Sequence, residues 1–372
     1  MTIHIPNTSA TNSPGYTPTV LVEVTRGPIV ESWHYGTIAV AGPDGGLVAW
    51  AGDPDVVTYY RSSAKPIQAV PLVESGAAAH FDLTDAEIAV VCGSHGGEDI
   101  HVQAVMSILS KIGAEPEMLA CGVHPPYDRA AARLLEERGQ QPTALHNNCS
   151  GKHAGMLALA RYHGWPLQGY QRPDHPVQQT MLRVVAEFAG LEPQDIAVGV
   201  DGCGVCTFGI PVRLMAASFA RLADPHFWPQ PRRSAVERIV RAMTAHPEMV
   251  AARQGRLDTD LMHAGRGELI AKAGAEAVYC VARLADSTGG PARSGTAGVP
   301  ERSAVGFALK LLDGDPAGRA RNPAVMEGLR QAGLLDGDAL ARLEQYRTDK
   351  VRNRPGDVVG EVRPAFTLYT HT

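Results

Sequence analysis

The sequence predicts a mixed α/β protein of the α+β type, in which an antiparallel sheet is flanked by helices and joined by a helical lobe. Three observations carry this expectation. Short β-rich runs at Val20-Thr25, Gly36-Val40 and Leu47-Trp50 open the chain, the last two joined by the hairpin-forming Gly42-Pro-Asp-Gly-Gly46. Helical patterns then dominate the middle, at Ser62-Ser75, Val102-Ile112, Asp128-Arg138, Lys152-His163 and Pro176-Phe188, most closed by glycine within a residue or two. Strand-like runs return late, at Ala277-Ala282, Ser303-Leu312 and Val358-Val362, so the sheet is assembled from both ends of the chain.

Between these, Ile88-Cys92 and Ile196-Val200 read as buried strands, and Ala235-Ala245, Pro323-Ala332 and Asp338-Gln345 as helices. Residues 1-17, rich in Thr, Ser, Asn and Pro, read as a flexible tail, and 18-372 as a single two-lobed domain. The stretch Ser287-Pro300, full of Gly, Ser, Thr and Pro, reads as a mobile surface loop.

With 372 residues, 44% hydrophobic and 20% charged, the chain can bury a large core. Its apolar runs stop well short of the roughly 20 residues a membrane helix needs, and no signal-peptide pattern begins it, so a cytoplasmic location is expected. A formal charge of -5 leaves no basic footprint for nucleic acid or an anionic membrane, which makes a small molecule the expected partner. Six sparse cysteines suit reduced thiols or metal ligands better than disulfides.

Five segments carry chemistry. In Arg61-Ser-Ser-Ala-Lys-Pro66, a spacing of three places the Ser62 hydroxyl and the Lys65 amine one helical turn apart on one face, where a desolvated lysine can act as base toward a serine nucleophile. The same letters also describe an N-cap serine followed by an exposed lysine. Cys92-Gly-Ser-His-Gly-Gly-Glu98 reads as a strand-end loop displaying Ser94 and His95, or as a plain turn before a helix. Lys272-Ala-Gly274 precedes a late strand, and the order S-x-x-K, loop serine, K-x-G resembles the three motifs of serine β-lactamases and penicillin-binding proteins, although Ser94 follows Ser62 by fewer residues than in those enzymes. Asn147-Asn-Cys-Ser-Gly-Lys-His-Ala-Gly-Met156 opens a helix with a density of Asn, Cys, Lys and His that packing does not explain. Finally, Val200-Asp-Gly-Cys-Gly-Val-Cys206 runs from a strand into a glycine turn. Cys149 and Cys203, with Lys152, Asp201 or His153 nearby, could hold zinc, which favours S and N ligands. Cys206 reads as a small buried residue.

These segments, together with Val22-Glu-Val-Thr-Arg26, Glu31-Ser-Trp-His34, Cys121-Gly-Val-His124 and His175-Pro-Val-Gln178, resemble the asparaginase II family, the rhizobial-type L-asparaginases, over nearly the whole chain. The resemblance implies a fold related to serine β-lactamases and glutaminases, a homodimer, and hydrolysis of L-asparagine to L-aspartate and ammonia through a seryl ester. It further implies two Ser-Lys pairs, Ser62 with Lys65 and Ser94 with Lys272, and zinc held by Cys149, Lys152 and Cys203. His153, Asp201 and His95 become supporting or substrate-binding residues. Lysine ligates a metal only as the neutral amine. Two departures stand out: Cys206 replaces the proline of the family's D-G-C-G-x-P run, and Ser287-Pro300 is longer than the usual connection. A glutaminase would differ by a pocket one methylene longer, which separates substrates by only about 10- to 200-fold.

Overall fold

The computed structural model describes residues 18–285 and 303–370, so the expected tail over 1-17 and the expected loop Ser287-Pro300 lie outside the described residues. The strands are β1 (Thr19–Arg26), β2 (Ile29–Ala41), β3 (Leu47–Ala51), β4 (Val57–Tyr59), β5 (Ala197–Val200), β6 (Cys206–Pro211), β7 (Leu269–Ala273), β8 (Val278–Arg283), β9 (Val305–Leu311), β10 (Asp349–Arg352), β11 (Val358–Pro364) and β12 (Tyr369–Thr370). Two compact units emerge, one from the described parts of Met1–Ser63, Ile210–Asp224 and Ala264–Thr372, the other from Ala64–Gly209 and Pro225–His263.

The first unit is an antiparallel sheet in the order β10-β11-β1-β2-β9-β8-β7, with β3 paired to β2 and β12 to β3. β2 is 13 residues long. Its first part pairs with β1, and Ile38 to Ala41 are shared between β3 and β9. The expected hairpin after Ala41 forms as predicted: Gly45 takes φ of +88°, and Asp44 Oδ1 accepts the Gly46 N–H at 3.0 Å. Such a turn suits glycine because a side chain clashes at positive φ.

β9 is buried along its whole length, and two of its neighbouring residues explain why. Successive residues of a strand face opposite sides of the sheet. A Cβ on Gly306 would lie 1.8 Å from the Ala216 carbonyl, in the helix Val212–Leu222, whereas the Phe307 ring packs against Gly328 in the helix Arg321–Gln331. The sheet therefore carries a helix on each face, and β9 reads as an apolar run interrupted only at the buried Lys310 because neither face meets water.

The second unit is helical. At its centre lies the helix Ser150–His163, buried on all sides from Ser150 to Ala160. It crosses the helix Asp85–Val91 at two glycines: a Cβ on Gly151 would fall 2.3 Å from the Val90 carbonyl, and one on Gly155 would fall 2.7 Å from the Val91 side chain. Glycine here is a packing requirement.

The structure corrects the expected strand Ile88-Cys92, which is the latter part of the helix Asp85–Val91. A capping box starts that helix: Thr84 Oγ1 accepts the Glu87 N–H at 3.3 Å while Glu87 Oε2 accepts the Thr84 N–H at 2.6 Å. The run Ile88-Ala-Val-Val91 is buried all round, so it lacks the one-sided period that distinguishes a helix. The expected helix Ser62-Ser75 is broken into a 3-10 turn Arg61–Ala64 and two short helices, Lys65–Gln68 and Val70–Glu74. Pro66 and Pro71 cause the breaks, since neither can donate the hydrogen bond that would continue the preceding turn. β7, which carries Lys272, and the helices Val212–Leu222 and Leu257–Ala264 were not predicted.

Because the Ala216 carbonyl is main chain and cannot rotate away, Gly306→Ala should lower stability by about 3 kcal/mol. Urea unfolding of the variant against wild type measures this, and an unchanged midpoint would contradict the two-sided packing of β9.

Candidate active site

In the sheet unit, Ser62 lies in the 3-10 turn Arg61–Ala64 and is half-buried. Arg61 holds φ of +50°, a left-handed conformation that costs a side-chain-bearing residue about 1–2 kcal/mol. Such strain tends to persist where the surrounding structure fixes a functional geometry. Next to Ser62, Ser63 Oγ donates to the Lys272 carbonyl at 2.9 Å. A Cβ on Gly274 would lie 3.0 Å from Ser63 Oγ and 3.2 Å from the Tyr60 carbonyl. The turn carrying Ser62 is thus fastened to the strand carrying Lys272. Lys272 is fully buried, opposite Cys280 in the β7–β8 register, and its Nζ donates to the Ala273 carbonyl at 2.7 Å.

In the helical unit, Lys65 is fully buried at the start of Lys65–Gln68. Its Nζ lies 2.6 Å from the Gly93 carbonyl, 2.9 Å from Ser94 Oγ and 3.3 Å from the Asn148 carbonyl. As a neutral amine it has two N–H bonds for the carbonyls and a lone pair for the Ser94 proton; as an ammonium it donates to all three. Burial, with help from the nearby Lys152 cation, lowers its pKa below the usual lysine value, while Cys149 and Cys203 oppose the shift. The geometry supports both protonation states, which suits a group that takes up and returns a proton.

Ser94 does not follow a strand. It follows the helix Asp85–Val91, and its loop is tied to a stretch that sequence reasoning missed: Ser94 N–H and Gly96 N–H donate to the carbonyls of Val250 and Ala251 at 2.8 and 2.7 Å. Asn148 has its own unforeseen anchor. His124 Nδ1 donates to the Pro125 carbonyl, leaving Nε2 to accept the Asn148 N–H at 3.1 Å.

The three expected metal ligands also meet in this unit. Lys152 Nζ stands 3.2 Å from Cys203 Sγ, and the Cys149 thiol is hydrogen-bonded to Cys203. That bond, opposed by burial and aided by the Lys152 charge, pulls Cys203 down to about 4. The same bond and burial push Cys149 up to about 12. Burial opposes the ammonium form of Lys152, but the charges of Cys203, Cys149 and Asp201 outweigh it and raise its pKa. The resting cluster is therefore a thiol donating to a thiolate that pairs with an ammonium. Two sulfurs and one amine form a donor set that fits zinc once the lysine and both thiols give up their protons. Among the described residues, no group of three His, Cys, Asp or Glu side chains is arranged to hold a metal ion.

Local turns present these groups. Asn147 Oδ1 accepts the Cys149 N–H at 2.8 Å while its Nδ2 donates to the Cys121 and Gly122 carbonyls. Gly204, at φ of +86°, closes the turn from Asp201 to Gly204 that displays Cys203. Asp201 Oδ1 accepts the Gly202 N–H. His153 is fully buried, and its pKa is driven by burial down to about 3, so the ring is neutral. Tyr170 Oη, which accepts the Ala120 N–H at 2.9 Å, lies 2.6 Å from His153 Nδ1. Tyr170 gave no signal in the sequence because nothing in its neighbourhood forms a motif. His95 packs in the Ser94 loop with Nε2 2.9 Å from Ser150 Oγ.

Residues 22–364 match the profile of L-asparaginase II. That span is most of the chain, and the chain belongs to the L-asparaginase II family. No curated protein matches it significantly. Among solved structures it is similar to Mglu in its native form in the presence of 4.3 M NaCl, at 19% identity and a TM-score of 0.42, covering 82% of this chain and 63% of that one. It is also similar to Mglu in its L-glutamate-binding form, at 18% identity and a TM-score of 0.43, covering 89% and 66%. The chain spans less than two thirds of the length of these structures, and likenesses so distant say nothing about its reaction. Among the described residues, no helix is long and apolar enough to cross a membrane.

Asn147 is buried and satisfies three main-chain groups. Asn147→Ala should therefore cost about 2 kcal/mol, because two carbonyls and one N–H lose their partner. Thermal unfolding measures the loss, and a neutral result would show that the Asn-Asn-Cys turn holds its shape without that side chain.

Proposed function

We propose that this protein is an amidohydrolase, an L-asparaginase that works through a seryl ester on Ser62. The observation that carries the reading is the buried Lys65 amine, hydrogen-bonded to Ser94 Oγ and three residues along the chain from the half-buried Ser62. In this mechanism Ser62 Oγ attacks the side-chain amide carbon of L-asparagine, and its proton passes to neutral Lys65, with Ser94 as carrier. The C–N bond of the tetrahedral intermediate breaks as its nitrogen takes that proton and leaves as ammonia. Water then adds to the ester carbon and the C–O bond to Ser62 breaks, giving L-aspartate and restoring the serine. Lys272 is the second lysine of the paired set that the resemblance implies. The homodimer and the cytoplasmic location belong to the same reading.

Zinc belongs to it as well. Cys149, Lys152 and Cys203 would hold the ion, with Asp201 and His153 beside them. When bound, zinc supplies a fixed positive charge that can orient the substrate. The protein's own residues carry every proton and every covalent step.

Ammonia release from L-asparagine and from L-glutamine tests the reaction. Ser62→Ala should cut turnover of L-asparagine by at least about 10³-fold. A folded Ser62→Ala enzyme with full turnover would remove Ser62 as nucleophile, and a wild type that prefers L-glutamine would replace the substrate.

The metal is tested separately, by competition titration of zinc against a chromophoric chelator. Loss of a supporting residue beside a metal costs about 10- to 100-fold in affinity, so loss of the ligand in Cys203→Ser should exceed about 100-fold. Equal affinity in wild type and Cys203→Ser would take zinc out of the reading.

A further inference from the structure

Three oxygens surround Lys65 Nζ, and they come from two separate stretches of chain: Gly93 and Ser94 from one, Asn148 from the other. Side chains 93 to 98 follow a helix, and residues 147 to 149 precede one. A single buried ring joins these stretches. His95 Nδ1 accepts the Gly97 N–H at 3.2 Å, which leaves the proton on Nε2. Nε2–H then donates to Ser150 Oγ at 2.9 Å, and the Ser150 hydroxyl donates to the Leu145 carbonyl at 2.9 Å. The chain of donors runs one way, from Gly97 through His95 and Ser150 to Leu145, and its last two members flank Asn148 in the sequence.

The ring is also fixed from above. His101 stacks on His95 with centroids 4.8 Å apart and planes 13° from parallel. His101 Nδ1 accepts the Glu98 N–H at 3.1 Å, and its Nε2 donates to the Glu248 carbonyl at 2.8 Å. Both imidazoles are fully engaged in their neutral forms. Glu248 lies in the same stretch as Val250 and Ala251, whose carbonyls hold Ser94 and Gly96. The hydrogen bonds of His95 thus run from the loop that carries Ser94 to the helix start beside Asn148, and none of them is with Lys65.

We infer that His95 is a positioning residue that clamps the Ser94 loop to the Asn148 turn and so sets the distance between Lys65 Nζ and Ser94 Oγ. The inference rests on the proposed role of the Lys65–Ser94 pair. It assigns no proton transfer to the histidine. A displacement on the order of 1 Å in a reacting pair can cost about 100-fold in rate, so a clamp of this kind acts on turnover and leaves binding almost untouched.

The test is steady-state hydrolysis of L-asparagine by the full-length protein. His95→Ala should lower kcat by about 10- to 100-fold with KM within about twofold of wild type. Ser150→Ala, which removes the acceptor, should do the same. His95→Gln should recover to within about threefold, because its side-chain amide nitrogen can reach Ser150 in place of Nε2. Should His95→Ala fail to fold, the Ser150→Ala and His95→Gln pair carries the same comparison.

A double-mutant cycle separates positioning from general support. In a Ser94→Ala background, His95→Ala should cost no further kcat, whereas a role in overall stability would cost the same factor in both backgrounds and overturn the inference. Full activity in Ser94→Ala would instead remove the role of the Ser94–Lys65 pair on which the inference stands. Normal kcat in both His95→Ala and Ser150→Ala, with Ser94→Ala inactive, would overturn the clamp and leave the proposed reaction in place.

Discussion

The helical unit is arranged around one constraint, a lysine amine buried without solvent. Taking an ammonium out of water is costly unless it is paired, and one response is to give up the charge. Among the described groups that shift Lys65, no carboxylate appears. Two carbonyls and a hydroxyl do the holding instead, and they can serve either protonation state. For those oxygens to be in place, the end of one helix and the beginning of another must lie side by side. The glycines of the central helix make that approach close enough: Gly151 sits against the Val90 carbonyl, one turn before Gly93 and directly after Ser150. Gly93 is itself a tight fit, since a Cβ there would lie 2.7 Å from the Met249 carbonyl. Backbone packing at a few glycines thus fixes the geometry of the Lys65–Ser94 hydrogen bond.

A second buried lysine a turn along the central helix answers the same constraint in the opposite way. Lys152 keeps its proton because Cys203 supplies a negative charge at 3.2 Å, with Cys149 stabilising that thiolate by a hydrogen bond. Its positive charge in turn lowers the pKa of Lys65. Two lysines of one type, both buried, have their pKa values shifted in opposite directions by their surroundings. Pairs whose environments push their pKa values apart are a mark of acid-base chemistry, and here the division follows from which of them meets a thiolate.

Much of this was legible in the sequence, for identifiable reasons. Ser62 and Lys65 showed because a local spacing is enough to relate them, and the Asn-Asn-Cys-Ser-Gly-Lys-His run showed because packing alone does not require such residues at a helix start. The antiparallel sheet was read from turn chemistry at Gly42 to Gly46 and from β-rich runs at both ends. What stayed hidden depends on contacts distant in sequence. The helix Asp85–Val91 passed for a strand because burial on every side erases its period. The carbonyls of Val250 and Ala251, and the side chains of His124 and Tyr170, act on the site from far along the chain. The partnership of Ser94 with Lys272 is what the family resemblance implies; within the helical unit, the amine 2.9 Å from Ser94 Oγ is that of Lys65.

The position of the S-x-x-K run in the chain explains why it is so compact. The chain leaves the sheet unit at Ser63 and enters the helical unit at Ala64, so Ser62 and Lys65 fall on either side of that division. Residues in separate units would ordinarily have a separation that varies with the arrangement of the units. Three residues of chain cannot span more than about 11 Å even when fully extended, and the 3-10 turn Arg61–Ala64 shortens that reach further. Ser62 and Lys65 are therefore coupled by covalent geometry, whatever holds the rest. Ser94, Asn148 and the cysteines have no such guarantee, which is why their positions depend on glycine packing, on the turn built by Asn147 and on the hydrogen bonds of His95 and His124. The strained Arg61 backbone lies on the same short segment, at the residue before the serine. A conformation costing about 1–2 kcal/mol persists only where the surroundings fix it, and here the Ser63 hydrogen bond to the Lys272 carbonyl and the close fit of Gly274 against Tyr60 and Ser63 do so.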